Sequence, residues 1–362
     1  MNIRMSQSLR KKHGIRIGDR LSFRKGVVLT VMPAFSADLI IDESATWVSR
    51  SIYLSINDLK VTAIRYTGIS IGCDPEFWVV NRKTGKMVPA HMYFDFHERC
   101  GTDADGWLGE LRPWASYNAR EVTVNLCYLI AGLRSVLRPE HKAVASSSMK
   151  GRTAGFHIHL GLPREIMKWR SSLQPFFERL TDSLIWYVLI PCLMKDPDEV
   201  RRRAVRNKYG DPRDYRTYEF TFEYRAPGAF WLRHPHYCRG LLELSQLVAE
   251  DVCKKGLDAV GRDPKRIREL NDIRFHLIPE RRELSEITQN ISRADLHRYT
   301  GPIHKELKRM APYKDHAETI DDFFKAIQSR SIESEDIMEN WLRSENVIRK
   351  KKAFPLSIGV DR

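Results

Sequence analysis

Gly155-Phe-His-Ile-His-Leu-Gly161 sets two imidazoles one residue apart inside an apolar run closed by a glycine at each end. Residues i and i+2 of an extended strand point to one face. The run therefore reads as a strand with His157 and His159 on one side and Phe156, Ile158 and Leu160 on the other. A lone histidine would read as a core residue. Two in step read as metal ligands or as donors to an oxyanion or phosphate.

The same spacing occurs three more times. Asp74/Glu76 lie in Gly72-Cys-Asp-Pro-Glu-Phe77, Glu110/Arg112 in Gly109-Glu-Leu-Arg-Pro113, and Glu223/Arg225 in Tyr218-Glu-Phe-Thr-Phe-Glu-Tyr-Arg225. Two carboxylates on one face repel unless a cation lies between them, and Mg2+ accepts such ligands alongside substrate phosphates. The plainer readings are a solvent-facing edge for Asp74/Glu76 and in-strand ion pairs, which contribute little when exposed, for the other two. Glu219 alternates onto the expected face of Glu223. Asp103, Asp105 and Gly106 suit a turn.

Arg201–Arg216 holds seven basic residues, Arg206 and Lys208 among them. This run reads as a cationic loop able to fold over a triphosphate, as a solvated loop, or as a nucleic-acid contact. No Walker A, G-x-G-x-x-G or G-x-S-x-G run is present. Cys73 alternates away from the carboxylates, so a cysteine nucleophile is not expected there.

Strands are expected over 69–80, 107–112, 151–162 and 217–226. Helices are expected over 118–137, over 163–194 with breaks at Pro175 and Pro191, and over 236–255. The class is α+β, an antiparallel sheet with packed helices. Residues 1–66 read as a small β-rich, barrel-like module and 67–256 as the catalytic core. Residues 257–362 read as a polar helical region, with helices at 302–311, 317–329 and 333–352, standing apart or completing that core.

Of 362 residues, 42% are hydrophobic and 29% charged, which suits a packed core. Six cysteines without a CxxC pair suit reduced thiols. No run approaches the ~20 apolar residues of a membrane span, and Met1-Asn-Ile-Arg-Met-Ser lacks the apolar core of a signal peptide. A cytoplasmic protein without a membrane partner is expected. The net charge of +14 attracts polyanions, whether nucleotide phosphates, nucleic acid or acidic polymers.

In their order along residues 69–235, these motifs resemble the carboxylate–amine ligases of the glutamine synthetase/glutamate–cysteine ligase superfamily, the phage-associated COOH·NH2 type in particular. The resemblance implies a curved antiparallel sheet holding Mg2+ (or Mn2+) and ATP, in the host cytoplasm if the chain is phage-encoded. It implies Asp74, Glu76, Glu110 and Glu223 as metal ligands, with one of His157 and His159 on metal and the other near phosphate or substrate. Arg225 and Arg216 would meet the ATP phosphates, as would Lys208 and Arg206 of the cationic run. Many relatives have Glu-x-Glu where this chain has Asp74-Pro-Glu76, so Asp74 reaches less far.

The implied reaction activates a carboxylate as an acyl phosphate and joins it to an amine, with Glu110 or Glu219 as base. Neither the acid nor the amine is named by the sequence. The alternatives are a metal-dependent phosphoesterase or nuclease, and a non-catalytic nucleic-acid-binding protein.

Overall fold

The computed structural model describes the strands between residues 2 and 64, and residues 68–196, 210–274, 278–290, 293–329 and 334–342. The chain divides after Gly68. In the first unit, β1 (Asn2–Met5), β2 (Arg20–Phe23), β3 (Val28–Pro33) and β6 (Leu59–Ile64) form a four-stranded sheet in the order β1-β3-β2-β6. β4 (Thr46–Ser49) and β5 (Ile52–Leu54) pair separately. The β-rich composition is realised, and any closure into a barrel lies outside the described residues.

The second unit is built on the twelve-residue β7 (Ser70–Asn81). It is flanked by β8 (Met87–Val88), β9 (Cys100–Thr102), β10 (Gly109–Leu111), β11 (His141–Val144), β14 (Phe156–Gly161), β15 (Tyr215–Thr217) and β16 (Phe222–Tyr224). The sheet runs β15-β16-β14-β7-β10-β9, with β8 and β11 pairing the far half of β7. Every pairing is antiparallel. A short hairpin of β12 (Ser148–Met149) and β13 (Arg152–Thr153) precedes β14, so the strand expected over 151–162 is divided in two.

One face of this sheet is apolar. Ile71, Cys73, Phe77, Val79, Leu111, Phe156, Ile158, Leu160, Phe222 and Tyr224 are all buried there in one core. Each large apolar side chain so buried contributes about 1.5–3 kcal/mol. The helix Pro235–Ala259 packs on β7 and β14 and meets the helices Ala119–Val136, Gln174–Leu184 and Tyr313–Gln328. Gln246 on that central helix donates to the carbonyls of Ile69 (2.6 Å) and Tyr117 (3.0 Å), fastening the start of β7. The helices of residues 281–328 share this core through Leu284, Ile303, Phe323 and Phe324.

The helix expected at 118–137 forms with Asn118 as its cap, its side chain accepting from the Arg120 amide at 2.8 Å. Its buried stripe is Val122, Leu126, Ile130 and Leu133, while Val136 is exposed. Residues 163–194 break up more than the prolines alone suggest. Pro175 sits in the first turn of a helix, where its missing N–H costs nothing. A wide π-type turn, Ile185–Leu189, precedes Pro191. Pro302 does not begin a helix; it lies inside Arg293–Leu307. Of the helix expected over 333–352, residues 334–342 are described: 337–342 are helical, while 334–336 are not, Asp336 forming a bridge to Val144. Among the described residues, no helix is long and apolar enough to cross a membrane.

The run 217–226 is not one strand. β15 and β16 form a hairpin, and the Tyr218 amide donates to the Thr221 carbonyl across the turn at 2.8 Å. Glu219 and Phe220 occupy the tip, Phe220 at 72% exposure. The alternating aromatics mimic a longer strand. Register shows otherwise.

His316 on Tyr313–Gln328 faces two carboxylates of the central helix, Glu250 at 3.5 Å and Glu243 at 3.9 Å. Burial alone would lower its pKa, but hydrogen bonds and charge from Glu243 and Glu250 push it up to about 9. A pKa raised on folding stabilises fully below the unfolded value, about 6.5, and the gain is lost as pH rises through the folded value. The stability difference between wild type and His316→Gln, read by urea unfolding, is expected to shrink by on the order of 1–3 kcal/mol from pH 6 to pH 9.5. A constant difference over that window contradicts the pairing.

Candidate active site

Cross-strand register places the loaded residues on the second face of the sheet. His157 opposes Asp74, His159 opposes Gly72, Glu223 opposes His159, Arg216 opposes Glu223, and Glu110 opposes Glu76. Directly opposed residues share a face, so these groups form one polar field across five strands. Farther along β7 the same face turns apolar, where Trp78 and Val80 pack with Leu108, Val144, Ala154 and Ala229. Cys73 is buried in the opposite core, as its parity requires, and burial pushes its thiol far above the usual range.

Asp74, His159 and Glu223 form the tightest cluster, with one donor atom from each within 4.8 Å of the others. His159 Nε2 lies 3.1 Å from Asp74 Oδ1. His157 sits deeper, its Nδ1 3.6 Å from both Asp74 Oδ1 and Glu223 Oε1. Gly155 makes that position available: a Cβ there would lie 2.4 Å from His157 Nε2. The Gly155 amide donates to Glu76 Oε2 at 2.5 Å, so one oxygen of buried Glu76 is already engaged by backbone.

The charges on this face are strongly coupled. Burial would raise the Asp74 pKa, but the charge of His159 and contacts from both imidazoles hold it well below the usual carboxylate range. Burial would lower His159, but Asp74 first, then Glu223 and Glu110, raise it. Glu110 is pushed up to about 7 by burial and by neighbouring Asp74 and Glu76, against the pull of Arg112.

Asp74 Oδ1 and Glu223 Oε2 are buried without a hydrogen-bond donor. For Asp74 the imidazoles are near enough to attract but not aligned to donate. Buried carboxylate oxygens of this kind are costly unless a cation meets them. Two carboxylates and an imidazole therefore fit a divalent ion such as Mg2+ or Mn2+.

Both strand arginines form the in-strand ion pairs that are the plainer reading of their sequence. Arg225 is buried, its Nη1 2.6 Å from Glu223 Oε1 and its Nε 3.3 Å from Asp214 Oδ2. It faces carboxylates and is not an open arm. Arg112 is likewise committed, to Glu110 and three backbone carbonyls. Arg216 is exposed and has no ion pair among the described residues. Glu219 lies at the hairpin tip, outside the register that aligns the others. Arg206 and Lys208 lie outside the described residues. Asp214/Arg216 repeat the i, i+2 spacing, a signal that the cationic run around Asp214 hides in the sequence.

A family model described as phage phiEco32-like COOH.NH2 ligase-type 2 matches residues 71–342. The chain belongs to this family. This ligase-family chain is also similar to a bifunctional glutathione synthetase from Pasteurella multocida, at 10% identity and TM-score 0.42, over 78% of this chain and 49% of that one. It thus spans about half the length of that protein. Two further similar structures are the ligase PafA in complex with the prokaryotic ubiquitin-like protein Pup (11% identity, TM-score 0.36, 79% and 70% of the two chains) and a glutamine synthase homologue (13%, 0.33, 79% and 83%). No curated protein sequence matches the chain.

Removing Arg225 would take from Glu223 and Asp214 the guanidinium that both contact, and breaking a buried pair of this kind typically costs about 3–5 kcal/mol. Arg225→Met is expected to lower the unfolding free energy in urea by about that amount, and adding Glu223→Gln to recover part of it. An unchanged midpoint for Arg225→Met contradicts the pairing.

Proposed function

We propose that the protein is an ATP-dependent carboxylate–amine ligase working on the polar face of the sheet. The observation that carries this reading is the in-register field of Asp74, Glu76, Glu110, His157, His159 and Glu223, in a chain of the COOH·NH2 ligase family. The γ-phosphoryl group of ATP passes to a substrate carboxylate, leaving ADP and an acyl phosphate. An amine then attacks the acyl carbon, the bond to phosphate breaks, phosphate leaves, and an amide remains.

Asp74, His159 and Glu223 would hold a Mg2+ or Mn2+ ion, and Glu76 with Glu110 forms the adjoining carboxylate pair. When bound, the ion supplies charge neutralisation for phosphoryl transfer. His157 spaces Asp74 from Glu223 from below, and Arg225 holds Glu223 in its rotamer. Arg216, exposed beside Glu223, is the described guanidinium open to a phosphate. Glu110, raised towards neutrality, is suited to take the proton released by the attacking amine.

ADP release and a product mass of acid plus amine minus water should appear when the protein is given Mg2+, ATP and a library of acids and amines. Asp74→Asn and Glu223→Gln are expected to reduce ADP release by about 100-fold or more. Glu219→Gln, at the exposed hairpin tip, should leave it unchanged. Metal-dependent cleavage of nucleic acid without ATP, with no ADP formed from any pair, would return the site to the hydrolase alternative.

A further inference from the structure

On the polar face, the row that runs Glu76–Glu110 continues on β9 to Gly101, the residue opposite Glu110. Gly101 has no side chain, and the Arg112 guanidinium occupies that space: a Cβ on Gly101 would lie 2.3 Å from Arg112 Nη1. Glu110 thus has a carboxylate neighbour on one side and a guanidinium on the other. Arg112 Nε donates to Glu110 Oε1 at 2.8 Å. Its Nη1 donates to the carbonyls of Phe96 (2.8 Å) and Glu98 (2.7 Å), and its Nη2 to that of Thr102 (2.8 Å). Backbone bonds between Arg112 and Arg99, and from the Arg99 side chain to the Arg112 carbonyl, close the same loop from behind. One planar fork therefore gathers three carbonyls of the 96–102 segment and one carboxylate of the site. Lysine has no such geometry.

We propose that Arg112 is a positioning residue that makes the 96–99 loop leading into β9 and Glu110 one mechanical body, so that loading the carboxylate cluster with a divalent cation tightens the loop. A cation held by Asp74, His159 and Glu223 attracts the adjoining Glu110 carboxylate by charge, and that pull is carried through a charge-assisted bond to a guanidinium whose other donors hold the loop backbone. Binding and loop order are then linked and reciprocal. The loop carries Phe96, half exposed beneath the same guanidinium, so a side chain of a substrate touching Phe96 acts on Glu110 by the same route. The cation part rests on the proposed function; the mechanical link between Glu110 and the loop does not.

The test is hydrogen exchange of amides 96–99 in the full chain, with and without Mn2+, alongside calorimetric Mn2+ binding. Wild type should bind Mn2+ and show those amides exchanging about 5-fold or more slowly when loaded. Arg112→Lys and Arg112→Gln should still bind Mn2+ while the loop no longer responds. The lysine variant separates the fork from the charge. A loop indifferent to Mn2+ in wild type that binds it, or still responsive in Arg112→Gln, overturns the proposal.

Glu110→Gln covers the other cases, since it keeps the side chain's shape and all three carbonyl bonds. Without any ligand it should speed exchange at 96–99 by several-fold, because Arg112 loses its charged anchor. Unchanged exchange in Glu110→Gln overturns the link even if the arginine variants fail to fold. If Mn2+ does not bind wild type, the cation reading falls, and Glu110→Gln alone decides the link.

Discussion

Antiparallel pairing of β14 on β7 sets His157 against Asp74 and His159 against Gly72, and pairing of β16 on β14 sets Glu223 against His159. A slip of one residue would turn both imidazoles into the core and Phe156, Ile158 and Leu160 into the polar field. The site exists only in this register. The buried apolar residues on the reverse face secure it, because each of them would be exposed by the same slip. Catalytic geometry and core packing are two readings of one strand alignment.

The polar face carries more negative charge than its fixed cations balance. Arg225 answers Glu223 and Asp214, Arg112 answers Glu110, and the imidazoles answer Asp74. Glu223 Oε2 is still buried without a hydrogen-bond donor, and Asp74 Oδ1 meets the imidazoles by charge but accepts no hydrogen bond. A protein that needed only to fold would have no use for two such oxygens. Their position makes the surplus a binding feature, while the arginines act as struts that keep the carboxylates from drifting.

Much of this was legible in the chain, and the reason is the period of two. Asp74/Glu76, His157/His159, Glu110/Arg112 and Glu223/Arg225 announce a shared face because alternation is a local property of strands. Register between strands is not local. Whether His157 or His159 joins the cluster depends on which residues of β7 and β16 lie opposite each, and no spacing within any one segment states that. The hairpin of β15 and β16 was hidden for a related reason: Phe220 continues the alternation of Phe222 and Tyr224 but occupies the turn, where no glycine marks the break. Pro302 carries the local mark of a helix start, yet it lies mid-helix. The ion pairs of Arg225 and Arg112 with their i−2 carboxylates are legible from spacing, whereas their further bonds to Asp214 and to loop carbonyls arise from tertiary contacts.

The most direct measurement is an anomalous-scattering map from crystals grown with Mn2+. The account predicts a peak at ligand distance, about 2.0–2.3 Å, from carboxylate oxygens of Asp74 and Glu223 and from His159, with His157 beneath it. Crystals in which those three side chains contact only one another, with manganese bound elsewhere, would contradict it.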